Sequence, residues 1–392
     1  MSITIIISVL NEERNIRKTL RSLERQTDAA GKPLPVDDYR VLVVNNGSSD
    51  KTEEITEEVA KESRIRIRQV HEPCRNIISA RLAGVREVEQ NPDYSRTRIL
   101  AFCDADVAIP PGWINSMLAN FEGKDTDVLS YNGAFPHDFW IRVPRLARRY
   151  LSELGTLFFP EETRRLYAAG GTKVKLTPRI FSDFTRPPSG GFYSVRLAAY
   201  KAAGGYRREF THEGRELDGP TWRLYASLLR NGARLKFIPD IEMINSERRL
   251  LCAPEKFFGL QNYDQLGDLR QDYRQASEGR YAYVDSLAES VDFAPVRRYA
   301  LEYYVLFPCI NDPSLLAKNR RYFGALANEI YAGISDWKNS HPTPSSGELF
   351  QFCDWLTDRY CARLWDELPF EEDQFGPQPA RRTDPGGDKG AR

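Results

Sequence analysis

Two carboxylates stand one residue apart at the end of an apolar run, where Arg98-Ile99-Leu100-Ala101-Phe102-Cys103 leads into Asp104-Ala105-Asp106. Residues i and i+2 of an extended segment share a side, so both acids address one point in space, and a divalent cation relieves their repulsion. The oxygens of a diphosphate complete such a coordination sphere, and the cation then neutralises charge on a departing phosphate. A lone Asp-x-Asp at a strand end can equally be a turn in which one Asp caps the next element. Position separates the two readings, so the elements that carry the pair matter.

Those elements alternate. Ile3 to Val9 is β-branched and wholly apolar except for Thr4 and Ser8, as a strand covered on both faces would be. After Asn11-Glu12-Glu13 come Ile16, Leu20 and Leu23 at helical spacing. Tyr39 to Val44 repeats the strand pattern, ends at Asn45-Asn46-Gly47-Ser48-Ser49-Asp50, and precedes a helical run over 53–62. Ile65 to Val70 is a third strand, Ser79 to Val88 a helix, and Arg98 to Phe102 a fourth strand feeding the two aspartates. Strand and helix alternating through short links imply an α/β, doubly wound, mostly parallel sheet. Ligands of such sheets bind at the carboxyl ends of the strands. Asn11, Asn46 and the segment from Asp104 to Asp106 therefore converge on one rim, which favours the metal reading of the pair.

From about 130 to 188 the pattern loosens into an irregular insert holding Phe139, Trp140 and a basic stretch, Arg142, Arg145, Arg148 and Arg149. That stretch reads as a solvated helix face or as a helix lying on a membrane or phosphate surface. Order returns at Ser189-Gly190-Gly191-Phe192, with a helix near 197–203, another from Pro220 through Arg230, and a strand over 235–238. Aromatic-rich helices follow, broken at 308–313 and 341–344, and residues 370–392 read as a disordered tail rich in Gly and Pro. The expected organisation is a catalytic domain over 1–250, with a nucleotide-binding half at 1–110 and an acceptor half at 111–250. A helical C-terminal region over 251–369 then serves as core, dimer surface or acceptor contact.

Fifty-five basic residues balance fifty-five acidic ones among 392, so no global field draws the chain to nucleic acid. The six cysteines form no Cys-x-x-Cys pair, which argues against structural zinc and fits reduced thiols in the cytoplasm. The apolar N-terminus has no basic lead-in and reads as a strand rather than a secretory signal. No window reaches the roughly eighteen uninterrupted apolar residues of a spanning helix.

The motifs, taken in order, resemble a family. Ile7-Ser8-Val9-Leu10-Asn11-Glu12-Glu13, Val43-Val44-Asn45-Asn46-Gly47-Ser48-Ser49-Asp50, Ala80-Arg81-Leu82-Ala83-Gly84 and Cys103-Asp104-Ala105-Asp106 resemble the family 2 glycosyltransferases of GT-A fold. Ser189-Gly190-Gly191-Phe192 with Ala203-Gly204-Gly205-Tyr206, and Gly232-Ala233-Arg234 through Pro239-Asp240, look like that family's second half, so the likeness spans about 1–245. The resemblance implies a hexosyltransferase that moves a sugar from a UDP-, GDP- or dTDP-linked donor to a hydroxyl of a saccharide, small-molecule or lipid-linked acceptor. It further implies Mn²⁺ or Mg²⁺ as the cation, held by Asp106 and Asp104. Val9, Leu10, Asn11, Glu13 and Asn46 would surround the base, Arg81 would hold the nucleotide, and Asp104, Ala105, Gly190 and Gly191 would face the donor. Asn45-Asn46 stands where the family usually has an acidic residue, which leaves the donor base open.

An acid after the Gly-Gly segment is the family's usual general base in inverting members. Asp218 is the first candidate and Glu216 the second, within His212-Glu213-Gly214-Arg215-Glu216-Leu217-Asp218. Capping the helix before Pro220 is the plainer role for Asp218. Many GT-A enzymes carry a third, histidine, metal ligand after the last core strand, where this sequence has Asn245. Inversion is the leading expectation; a retaining enzyme acting on a small acid, or an inactive binding protein of the same fold, are the alternatives.

Overall fold

The computed structural model describes residues 2–123, 125–154, 190–210, 214, 216, 219–258 and 278–367. Its frame starts with β1 (Ser2–Val9), whose side chains alternate between two covered faces as strand geometry requires. Ile3, Ile5 and Ile7 point into one core with α1 (Ile16–Glu24), while Ile6 points into another. β2 (Tyr39–Asn45), β3 (Ile67–His71) and β4 (Thr97–Asp104) run parallel to it, with Ile7 opposite both Val43 and Cys103. α2 (Thr52–Glu62) links β2 to β3, and α3 (Ile77–Gln90) precedes β4. A Cβ on Gly84 would lie 2.6 Å from Ile6 Cγ2 and 3.2 Å from Val44 Cγ2, so α3 sits against β1 and β2 only because that residue is glycine.

The second half completes an eight-stranded sheet of order β3-β2-β1-β4-β7-β6-β8-β5, in which β5 is Val107–Ala108, β6 Val128–Ala134, β7 Phe192–Arg196 and β8 Leu235–Asn245. β7 is antiparallel between β4 and β6; β8 is parallel to β6, and β5 closes the edge antiparallel to β8. α4 (Trp113–Glu122) adds Trp113, Met117 and Phe121 to the core under β1. The sheet is thus doubly wound and mostly parallel.

Two expectations about regularity change. Residues 128–154, read from 130 as irregular, form β6, α5 (His137–Arg142) and α6 (Pro144–Leu154). The last strand does not stop at Ile238 but continues to Asn245, because the ladder to β6 skips from Ile238 to Glu242. Pro239 has no amide hydrogen to give that ladder, so the chain bulges there and pairing resumes beyond it.

The basic stretch also finds its place. Phe139, Trp140, Val143 and Leu146 are buried in a third core with α8 (Pro220–Arg230), which follows α7 (Leu197–Ala202), and with the C-terminal helices. Arg142 lies 3.5 Å over the Tyr281 ring and pairs with Glu278, and Arg149 pairs with Glu153 at 2.8 Å. The apolar side that a membrane-lying helix would present therefore faces inward. Leu250, Leu251 and Phe258 join that core, and the C-terminal helices, from Glu278–Ser286 to Ser346–Glu367, supply most of the remainder, with Trp337 stacked on Phe352 at 4.3 Å. Among the described residues no helix is long and apolar enough to cross a membrane. The tail from 370, and with it Asp218, His212 and Glu213, lies outside the described residues.

Candidate functional site

The carboxyl ends of β1, β4 and β8 meet at one rim. Asp104 ends β4, and its amide donates to Gly191 O at 2.8 Å, just before β7. A Cβ on Gly191 would lie 2.9 Å from Asp104 Oδ2 and 3.9 Å from Asn245 Oδ1, so glycine there keeps open the space beside the carboxylate and the amide. Val107 pairs with Asn245, and the Ser246 amide donates to Asp106 O at 3.2 Å, so the β5–β8 ladder brings the chain after β8 onto the aspartates. Asp104, Asp106, Gly191 and Asn245 therefore gather from three distant stretches of sequence.

That ladder delivers a residue the sequence did not point to. Arg248 opens the short helix α9 (Arg248–Cys252) and lies between two acids. Its Nη2 is 2.9 Å from Asp106 Oδ2, its Nη1 donates to Glu12 Oε2 at 2.6 Å, and its Nη2 also pairs with Glu12 Oε1. Glu12 additionally accepts from Asn15 Nδ2 at 3.0 Å. Burial raises the Glu12 carboxyl above its ordinary value, while the hydrogen bonds and charge of Arg248 oppose the rise. No spacing rule connects residues 236 positions apart; only the edge pairing of β5 with β8 does.

Several residues expected around a nucleotide are committed elsewhere. Arg81 is 5% exposed and donates to Tyr206 Oη and Thr221 Oγ1, both at 3.0 Å, and to Gly190 O, with Asp104 Oδ1 at 3.4 Å. Burial works against its charge, but Tyr206 and Asp104 outweigh that and hold the guanidinium above its ordinary value. It is a strut joining α3, the end of β4, the Gly190 turn and α8. Burial likewise raises the Asp104 carboxyl, opposed by Arg81.

Asn46 is committed in the same way. Its amide nitrogen donates to Glu72 O at 2.9 Å and Cys74 O at 2.6 Å, and its oxygen accepts from Asn76 N at 2.9 Å. Every strong hydrogen-bonding position of this buried side chain except one oxygen lone pair is spent on the β3–α3 turn. Asn11, in the left-handed region at φ 56°, accepts from Ser49 N at 2.8 Å, and Glu13 accepts from Lys51 N at 3.2 Å. Both side chains lock the loop after β1 to the loop after β2. Val9 and Ala105 are buried, at 1% and 3% exposed; Leu10 and Gly190 are the more accessible expected contacts.

Glu216 is engaged as well. Arg208 Nε and Nη2 each donate to it at 2.9 Å, and Asn76 Nδ2 donates to it at 2.9 Å. Asn76 also caps α3, accepting from Ile78 N at 2.8 Å and Ser79 N at 3.1 Å. Glu216 thus anchors its loop to the start of α3.

A divalent cation suits the donor set on the rim. Asp104, Asp106 and the Asn245 amide offer hard oxygens, and the Asp104 side chain remains 30% exposed beside Gly191. Among the described residues no three His, Cys, Asp or Glu side chains cluster to hold a metal alone.

Residues 4–170 match the family model described as Glycosyl transferase family 2. The chain is 29% identical over 133 residues to the putative glycosyltransferase EpsH of Bacillus subtilis, covering 34% of each chain. It is 27% identical over 236 residues to a validoxylamine A glucosyltransferase of Streptomyces hygroscopicus subsp. limoneus, covering 57% of this chain and 48% of the other. The chain thus spans about a third to a half of the length of these curated relatives. Among solved structures, a mannosyltransferase from Pyrobaculum calidifontis in complex with GDP-Man and Mn²⁺ aligns over 92% of this chain and 86% of that one, with a TM-score of 0.44 and 13% identity. TarS 1–349 of S. aureus aligns over 96% and 98%, with a TM-score of 0.42 and 14% identity.

Proposed function

Because residues 4–170 match the model of family 2 of the glycosyltransferases, we propose that the chain is a member of that family and moves a hexosyl group from a nucleoside-diphosphate sugar to a hydroxyl acceptor with inversion. The observation that carries the reading is the meeting of Asp104 and Asn245 around the opening left by Gly191, with Asp106 tied to the chain after Asn245 by the Ser246 amide, at the carboxyl edge of the sheet. Asp106 and Asp104 are the ligands for Mn²⁺ or Mg²⁺, which when bound supplies charge neutralisation to the leaving diphosphate. Residues 1–110 form the donor half, 111–250 the acceptor half, and 251–369 a helical extension that buttresses α8.

The chain's own residues set up the reaction around that point. Arg81 holds Asp104 and the Gly190 carbonyl in fixed relation, so the floor under the donor is rigid before it binds. Leu10 and the turn at Gly190 and Gly191 line the donor's approach. Arg248 adds a guanidinium, whose fork suits phosphate oxygens, at the rim. Asp218 takes the acceptor's proton as the hydroxyl attacks the anomeric carbon from the face opposite the diphosphate, while Glu216 is held by Arg208 and Asn76.

The test is a thermal-shift screen of UDP-, GDP- and dTDP-sugars with Mn²⁺, Mg²⁺ or EDTA, followed by turnover of the stabilising donor and NMR of the product's anomeric configuration. Asp106→Asn is expected to lose metal-dependent donor binding and turnover. Asp218→Asn keeps binding and loses transfer. If no donor binds or turns over with either metal, the enzymatic reading falls; a retained anomeric configuration refutes inversion and Asp218 as its base.

A further inference from the structure

Arg248 and a divalent cation have a claim on the same carboxylate. Nη2 stands 2.9 Å from Asp106 Oδ2, while the rest of the fork holds Glu12. The Arg248 and Asp106 side chains are only 13% and 11% exposed, so water screens their interaction weakly. A doubly charged ion arriving at Asp106 meets a guanidinium already seated there, and like charges at such separation repel strongly where water is scarce.

Resting on the assignment of Asp106 as a metal ligand, we infer that Arg248 is a built-in counter-ion that Asp106 exchanges for the divalent cation, so that metal loads together with the donor's diphosphate. Glu12 makes the exchange local. It keeps the guanidinium tethered at the rim when Asp106 releases it, and α9 need not move. The diphosphate tips the balance because it offers the cation further oxygens and offers the displaced guanidinium a new anionic partner. Without a diphosphate, Arg248 keeps Asp106 neutralised and the cation binds weakly. Metal and nucleotide therefore raise each other's affinity by the same factor, as linkage demands. The pairing also gives Glu12 a role that the base-binding expectation did not: it is the resting place of a cation that moves.

The experiment titrates Mn²⁺ into the full chain, reading free Mn²⁺ by electron paramagnetic resonance, without nucleotide and then with UDP or GDP as the probe. Wild type is compared with Arg248→Gln and with the double variant Glu12→Gln/Arg248→Gln, so that of the two carboxylates Arg248 holds only Asp106 stays charged and open to the cation. Thermal melts check that each is folded. Without nucleotide, both variants are expected to bind Mn²⁺ about ten-fold more tightly than wild type, within the usual range of such couplings, and to lose most of the nucleotide-dependent gain. A site merely damaged by the substitution does not gain affinity. Equal or weaker Mn²⁺ binding by folded variants overturns the exchange while leaving Asp106 as a ligand. If neither wild type nor variants take up Mn²⁺ even with UDP or GDP present, the metal assignment falls and the exchange falls with it.

Discussion

Replacing Arg81 by alanine separates a strut from a ligand contact. The guanidinium has four partners, Tyr206, Thr221, Gly190 and Asp104, and is 5% exposed, so its removal takes a donor from two buried hydroxyls and from a part-buried carbonyl and carboxylate. Taking one partner from a buried charge pair costs about 3–5 kcal/mol. Summing the bonds separately would exceed that, but they share one side chain and do not add. The Asp104 side chain is 30% exposed, so water recovers part of the loss and the lower end, about 3 kcal/mol, is expected. Urea unfolding followed by tryptophan fluorescence measures it. Arg81→Lys retains the charge without the fork and should recover about half of that loss. The reasoning is refuted if Arg81→Ala unfolds within about 0.5 kcal/mol of wild type while sugar-nucleotide binding is lost, since the residue would then be a donor contact.

The other predictions concern packing, the base and pH. Gly84→Ala gains about 1 kcal/mol of helix propensity but drives a methyl to 2.6 Å from the stiff Ile6 side chain, so a net loss of about 1–2 kcal/mol is expected in urea; a stabilised variant would show that α3 can retreat. Glu216→Gln keeps the side-chain shape but only one of the two acceptor oxygens that meet Arg208 and Asn76, and as the change of an anchor rather than a base it should leave transfer within about ten-fold of wild type, whereas Asp218→Asn should cost about 10²–10⁴-fold in rate; the reverse pattern would move the base to Glu216. Burial raises the Asp104 carboxyl, so the folded chain holds a proton that the unfolded chain releases near pH 4, and stability falls as pH rises from about 4 through the folded value. Asp104→Asn removes that contribution. The wild-type-minus-variant difference in unfolding free energy should therefore decrease across the window, and an increase with pH would contradict the burial argument.

The N-terminal half of the fold was written in local periodicity. A strand buried on both faces must be apolar along its length, and a helix covering it must be apolar every three or four residues, so β1, α1, β2 and β4 announce themselves without knowledge of their neighbours. Their alternation then dictates a common rim, which is why Asp104 and Asp106 could be located from sequence. Tertiary structure decided what each polar side chain on that rim does. Asn46 and Arg81 have the residue types of ligand contacts, yet their hydrogen bonds are consumed by backbone and side chains brought in from elsewhere, and no local pattern records that. Arg248 reaches Asp106 only because a two-residue edge strand, too short to show a period, pairs with a strand that resumes beyond a proline bulge. Side-chain types are local, but the partners that saturate or free them come from distant segments, and folding alone selects those.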